Sequence, residues 1–199
     1  STNPDQQWHL LSVAITTAQS QLSLLSREVA ATLDQESGMI FEGHRLLLDD
    51  ERLQSDLRTV VYAEQVSAAE AIRRAVRNSA RRFRLMAGEV FQQRAADVED
   101  VGRRLLRILA GEHETRIQLV EPVILISDDL TPSQTAMLDR KNVLAFCTAG
   151  GGPAAHTAIL ARSMGVPAVV GVGAQLLNDV KTGDTVALDG YRGSVIVGP

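Results

Sequence analysis

The residues most suited to chemistry lie in one segment, GGGPAAHTAILARSMGVPAVVG, residues 150–171. A single histidine, His156, follows a run of glycines and a proline and precedes a helix-like stretch. Pro153 suits the first turn of a helix, because its missing N–H would have no partner there. A helix starting near Pro153 or Ala154 places His156 in its first turn. There, unpaired backbone N–H groups and the positive end of the helix dipole attract an anion. Gly151 and Gly152 let backbone amides close on that anion. A helix entrance also favours neutral imidazole, the form that acts as a nucleophile. The pattern suits a histidine that accepts a phosphoryl group while the backbone stabilises the transferred charge. It equally describes a histidine that caps or packs a helix start, and spacing alone leaves both open.

The elements that must hold this segment form the second half of the chain. VILIS (Val123–Ser127) and VLAFC (Val143–Cys147) are short, apolar strand candidates. LTPSQTAML between them carries Pro132 and a polar helix start, with Asp128 and Asp129 in capping position. The helix after the glycines should end near Gly165, and PAVVG, TVALD and SVIVG read as three more strands separated by Gly and Asp turns. Strand and helix alternate, which predicts a compact α/β unit over 112–199. Cys147, in an apolar strand, reads as inert packing.

The first half has a different period. Leu11, Ile15, Ala18, Leu22, Leu25 and Val29 lay one apolar seam along a helix from about Pro4 to Leu33. A second seam runs through Ala69, Ile72, Val76, Ala80, Phe83, Ala87 and Val90, and a third through Val98, Val101, Leu105 and Ile108. One or two short helices fit between the first two, and Gly111 is a plausible stop. Such seams predict a helical bundle over 4–111, giving an α+β chain overall. Arg73, Arg74, Arg77, Arg81, Arg82 and Arg84 form a basic run on the second long helix. It reads as a solvated face partly paired with Glu70 and Glu89, or as a surface for an acidic partner.

Composition narrows the function classes. The chain has 199 residues, 45% hydrophobic and 22% charged, as in an ordinary globular protein. A net charge of −4 argues against nucleic-acid binding, and Phe83 alone among the arginines of the basic run is thin support for base stacking. No apolar run approaches the ~18 residues of a membrane span. The N-terminus lacks signal-peptide features, and a lone cysteine fits a reducing cytoplasm. The four histidines show no metal-ligand spacing, so no metal is expected in this chain.

The segment around His156 resembles the phosphohistidine signature of the phosphoenolpyruvate-utilising enzymes. IFEGHRLLLDDERL and RAADVEDVGRRLLRIL resemble the helical, partner-binding part of Enzyme I of the sugar phosphotransferase system, and LTPSQTAML resembles the segment before its active-site strand. These blocks stand in the family's order and cover most of the chain. The resemblance implies a helical bundle joined to a swivelling β/α phosphohistidine unit. It implies that His156 carries the phosphate, that Thr135 bonds its other ring nitrogen, and that Arg162 balances charge nearby, although Arg162 also reads as a cation at a helix C-terminus. Ala154 and Ala155 stand where the family often has Thr-Ser, and Ala149 where Enzyme I often has Asp.

The resemblance further implies an HPr-like partner, docking on Phe41, Glu42, Gly43, His44, Leu47, Leu48 and Asp49. An apolar patch ringed by carboxylates suits a partner whose active histidine lies near basic residues, although some of Leu46–Leu48 must be core. Phosphoenolpyruvate and magnesium would act only through a barrel domain that these residues do not include. Exchange with a protein is therefore expected. The chain also resembles the truncated Enzyme I-like domain of the dihydroxyacetone kinase phosphotransfer subunit, which would bring Enzyme I and dihydroxyacetone kinase subunits as further partners. An N-terminal piece of Enzyme I, or a docking module that carries no phosphate, are the other readings.

Overall fold

The computed structural model describes residues 3–112, 119–152 and 156–199. The chain divides into two compact units, one of Ser1–Ala30 with Gly38–Glu114, the other of Ala31–Ser37 with Thr115–Pro199. The short crossing segment 31–37 therefore counts with the second unit, which a linear division at 111/112 does not foresee.

The first unit is helical: α1 (Pro4–Thr32), α2 (Gln35–Leu48), α3 (Glu51–Glu64), α4 (Ala68–Arg84) and α5 (Glu89–Leu109), the first two contributing their ends to the second unit. In α1, Leu11, Ala14, Ile15, Ala18, Leu22 and Val29 are buried, so the long apolar seam faces the core as its spacing requires. Asp50 caps α3 by accepting the Leu53 N–H, and Ser67 caps α4 by accepting that of Glu70. The second seam predicts one helix through Val90, but the structure breaks it. Gly88 takes φ +118°, outside the helical region, and Val90 is 70% exposed. The apolar period runs on past the point where the backbone turns, and periodicity does not register that turn.

The second unit holds a three-stranded parallel sheet, order β1-β2-β3, and an antiparallel hairpin β4–β5. Its elements are β1 (Val123–Ser127), α6 (Pro132–Ala136), β2 (Val143–Thr148), α7 (His156–Met164), β3 (Ala168–Val170), α8 (Gln175–Asp179), β4 (Val186–Asp189) and β5 (Ser194–Val197). Parallel pairing demands crossovers. The α6 segment returns β1 to β2, and the glycine loop with α7 returns β2 to β3. Leu130, Leu138, Val143, Phe146, Ala161 and Met164 make the core, joined by Leu33 from the crossing segment. Asp34 ties that segment down. One carboxylate oxygen caps α2 through the Ser37 N–H at 2.8 Å, and the other accepts from the Ser163 hydroxyl near the end of α7. The Ser37 hydroxyl donates to Ser163 Oγ at 2.8 Å.

Candidate functional site

The loop between β2 and α7 is built as a continuation of the sheet. Ala149 and Gly150 donate their N–H groups to the carbonyls of Ser127 and Asp128, both at the end of β1. Gly171, just past β3, donates to the Gly150 carbonyl at 3.0 Å. Gly171 adopts φ +72°, and a Cβ there would lie 2.9 Å from the Gly151 carbonyl oxygen. Only glycine lets β3 leave so close to the loop. Gly151 takes φ +90°. The amides of Gly151 and Gly152 have no hydrogen-bond partner among the described residues, whereas that of Gly150 is occupied. Two free N–H groups thus precede α7, the arrangement that receives an anion.

His156 is the first described residue of α7 and is partly buried. The expected helix starts at Pro153 or Ala154, and the substitutions at Ala154 and Ala155, lie outside the described residues. The next residue, Thr157, is buried and donates its hydroxyl to the Leu130 carbonyl at 2.7 Å. This bond fixes the first turn of α7 against the loop before α6, which the sequence did not flag. A threonine directly after a candidate histidine is the signal that could have found it.

The α6 segment is rigid for local reasons. Thr131 accepts the Gln134 N–H and Gln134 accepts the Thr131 N–H, a reciprocal cap with Pro132 in the first turn. Thr131 is the cap, so the capping expected of Asp128 and Asp129 is corrected. Asp129 instead accepts the Leu130 N–H. Thr135 is fully buried in α6 and donates its hydroxyl to the Thr131 carbonyl at 2.9 Å. Among the described residues Thr135 makes no bond to His156, so the expected ring contact is absent from this arrangement. Its oxygen lone pairs remain able to accept an imidazole N–H. Arg162 is exposed in the last turn of α7 and makes no ion pair among the described residues. Six residues of helix separate it from His156, about 9 Å of rise and a third of a turn in direction. It stands as a cation in the last turn of α7, where the helix dipole favours it. Cys147 is buried in β2, and burial pushes its thiol pKa up, as inert packing requires.

The docking residues expected on the helical unit separate into two faces of α2. Phe41, His44 and Leu48 are buried, so their expected role as contact residues is corrected to core. His44 lies between two buried carboxylates, 3.3 Å from Asp97 and 3.5 Å from Asp100 of α5. Glu42, Gly43, Leu47 and Asp49 stay at least partly exposed. Met39 and Leu46, not foreseen, are 61% and 52% exposed. Met39, Glu42, Gly43 and Leu46 are spaced as one helical stripe. Arg45 bridges Glu42 and Asp49 and holds the Glu42 carboxyl below the usual range. The surface is therefore apolar with partly neutralised carboxylates.

A glycine loop on a parallel sheet, a histidine opening the next helix and a separate helical unit are the parts that the phosphoenolpyruvate-utilising class combines. Family models agree. The mobile domain of the phosphoenolpyruvate-utilising enzymes matches residues 119–193, and the N-terminal domain of those enzymes matches residues 1–94. A solution structure of an Enzyme I protein shares 34% identity and a TM-score of 0.68 over 98% of this chain and 79% of its own. The N-terminal domain of a nitrogen-type Enzyme I shares 26% identity and a TM-score of 0.59, covering 100% and 82%. The chain belongs to the Enzyme I N-terminal-domain family. Among curated relatives, the phosphoenolpyruvate-protein phosphotransferase of Priestia megaterium is 37% identical over 95% of this chain and 33% of its own length. That of Buchnera aphidicola is 38% identical over 80% and 28%. The chain thus spans about a third of the length of the curated relatives it matches. Among the described residues no helix is long and apolar enough to cross a membrane.

Proposed function

We propose that His156 carries a phosphoryl group and exchanges it with an HPr-like protein of the cytoplasmic phosphotransferase system. One observation carries this reading: a partly buried histidine opens α7 four residues after Gly152, and the amides of Gly151 and Gly152 have no partner among the described residues. In the transfer, a neutral ring nitrogen of His156 attacks the phosphorus of the partner's phosphohistidine. The new N–P bond forms as the old one breaks, and the departing imidazole keeps the electron pair and takes up a proton, balanced by the proton that the other ring nitrogen of His156 releases to water. The Gly151 and Gly152 amides stabilise the charge on the transferred oxygens. Catalysis here is positioning and electrostatics. Thr135 accepts from the other ring N–H and sets the tautomer. The stripe of Met39, Glu42, Gly43 and Leu46, with Leu47 and Asp49 beside it, receives the partner.

These residues take phosphate from a protein, and phosphoenolpyruvate with magnesium acts on a separate domain or protein. The alanines at 154 and 155 favour a domain of the dihydroxyacetone kinase phosphotransfer subunit over Enzyme I itself, because two hydroxyls usual in Enzyme I are missing. Incubation with Enzyme I, HPr and labelled phosphoenolpyruvate tests the proposal. An acid-labile, base-stable phosphate lost in His156→Ala is expected. Label that persists in this variant places the chemistry elsewhere, and partner binding without label makes the chain a docking module.

A further inference from the structure

The six arginines of α4 are not equivalent. Arg74 pairs with Glu64 and Glu70, Arg82 with Asp56, and Arg84 with Glu99 of α5. Arg73 reaches Glu70 only at 3.7 Å. Arg77 and Arg81 make no hydrogen bond or ion pair among the described residues. Arg73, Arg77 and Arg81 are all exposed and stand four residues apart. They form one row along the helix with a pitch of about 6 Å. Like charges at this spacing repel one another along a helix.

Beside the row lies a shallow groove of about 300 Å³ between α4 and α5. Its floor is Ile72, Val76, Gly102 and Leu106, and Arg73, Arg77 and Arg103 stand at its walls. Gly102 creates the floor, since a Cβ there would come within 2.7 Å of the Val76 side chain. The acid at the groove, Glu99, is occupied by Arg84 at 2.7 Å.

We infer that the α4–α5 groove docks an acidic amphipathic helix of a partner protein. The partner's carboxylates, one per turn, lie on the Arg73–Arg77–Arg81 row, and its apolar side chains lie on Val76 and Leu106. The pitch of the row matches carboxylates at i, i+4 and i+8 of a facing helix, whereas a single phosphate spans only one step. The floor is aliphatic and offers no aromatic ring for stacking a base, which disfavours a nucleic acid. This surface stands apart from the phosphoryl reading and does not depend on it.

The test uses the full chain, isotope-labelled, and a short synthetic helical peptide with Glu at i, i+4 and i+8 and Leu at i+3 and i+7. Amide shifts should move along α4 and α5, and binding should weaken as ionic strength rises. Arg77→Glu with Arg81→Glu should weaken binding by about tenfold or more while the unfolding midpoint stays unchanged. A peptide of the same composition with its glutamates out of register should also bind about tenfold more weakly. The inference fails if the double variant or the scrambled peptide binds equally well. It also fails if shifts move elsewhere, or if pyrophosphate or an oligonucleotide binds the groove more tightly than the peptide.

Discussion

Replacing Thr157 with valine tests whether the first turn of α7 is positioned by a buried bond. The substitution keeps the side-chain shape and removes the hydroxyl that donates to the Leu130 carbonyl at 2.7 Å. Both residues are 5% exposed, and the carbonyl accepts from no other described group, so it loses its partner without regaining water. A buried, orphaned acceptor costs about 1–3 kcal/mol. For a chain of 199 residues this lowers a cooperative unfolding midpoint by about 2–12 °C. The effect on transfer should be larger than stability alone suggests. Thr157 adjoins His156, and a displacement of about 1 Å at a reacting group costs up to about a hundredfold in rate. Thermal unfolding by circular dichroism and the rate of phosphoryl loading from phospho-HPr measure the two effects. Thr157→Ser, which keeps the donor, should recover most of the loading rate. Unchanged loading and midpoint in Thr157→Val would refute the argument. So would equal losses in both variants, because the hydroxyl would then not be the cause.

Gly171→Ala places a Cβ 2.9 Å from the Gly151 carbonyl oxygen at φ +72°. It should cost about 1–2 kcal/mol from the backbone alone, seen by urea denaturation, and should shift the Gly151 amide resonance. On α2, Leu46→Ala should weaken binding of an HPr-like partner with little change in stability, since Leu46 is exposed. Leu48→Ala, in the core, should destabilise by about 2–5 kcal/mol, and calorimetry with partner titration separates the two. The Asp34 carboxyl is held below the usual aspartate range, first by the Ser163 hydroxyl and then by the Ser37 N–H. Its folded pKa is the lower one, so its stabilisation is complete above the unfolded pKa of about 3.9 and is lost as pH falls through the folded value. Asp34→Asn should therefore be less stable than wild type at neutral pH, and the gap should narrow in acid. A gap that widens toward low pH would contradict the hydrogen-bond assignment.

Local signals carried much of the architecture into the sequence. The 3–4 spacing from Leu11 to Val29 specifies a buried helix face whatever packs on it, and Pro132, Gly165 and the short apolar runs mark boundaries through backbone sterics alone. The break at Gly88 was not legible, because the apolar period of α4 continues to Val90 and a glycine inside a periodic run does not declare its φ. The same limit applied to FEGHRLLL. Three residues, Phe41, His44 and Leu48, turned inward, and which face of α2 is buried depends on α5. His44 sits against Asp97 and Asp100, 53 and 56 positions later. Thr135 and Thr157 show how little a residue type says about its bond. One hydroxyl is used on its own helix, and the other crosses to a carboxyl-end loop of the sheet.

By itself the sequence determined which residues could do chemistry, the helical and α/β halves, and a glycine loop leading to His156, because these follow from side-chain reactivity, period and backbone freedom. Only the tertiary structure decided which hydroxyl holds α7, which face of α2 meets solvent, and which arginines of α4 pair with carboxylates of other helices. Those outcomes rest on contacts between segments far apart in the chain, and no local pattern encodes them.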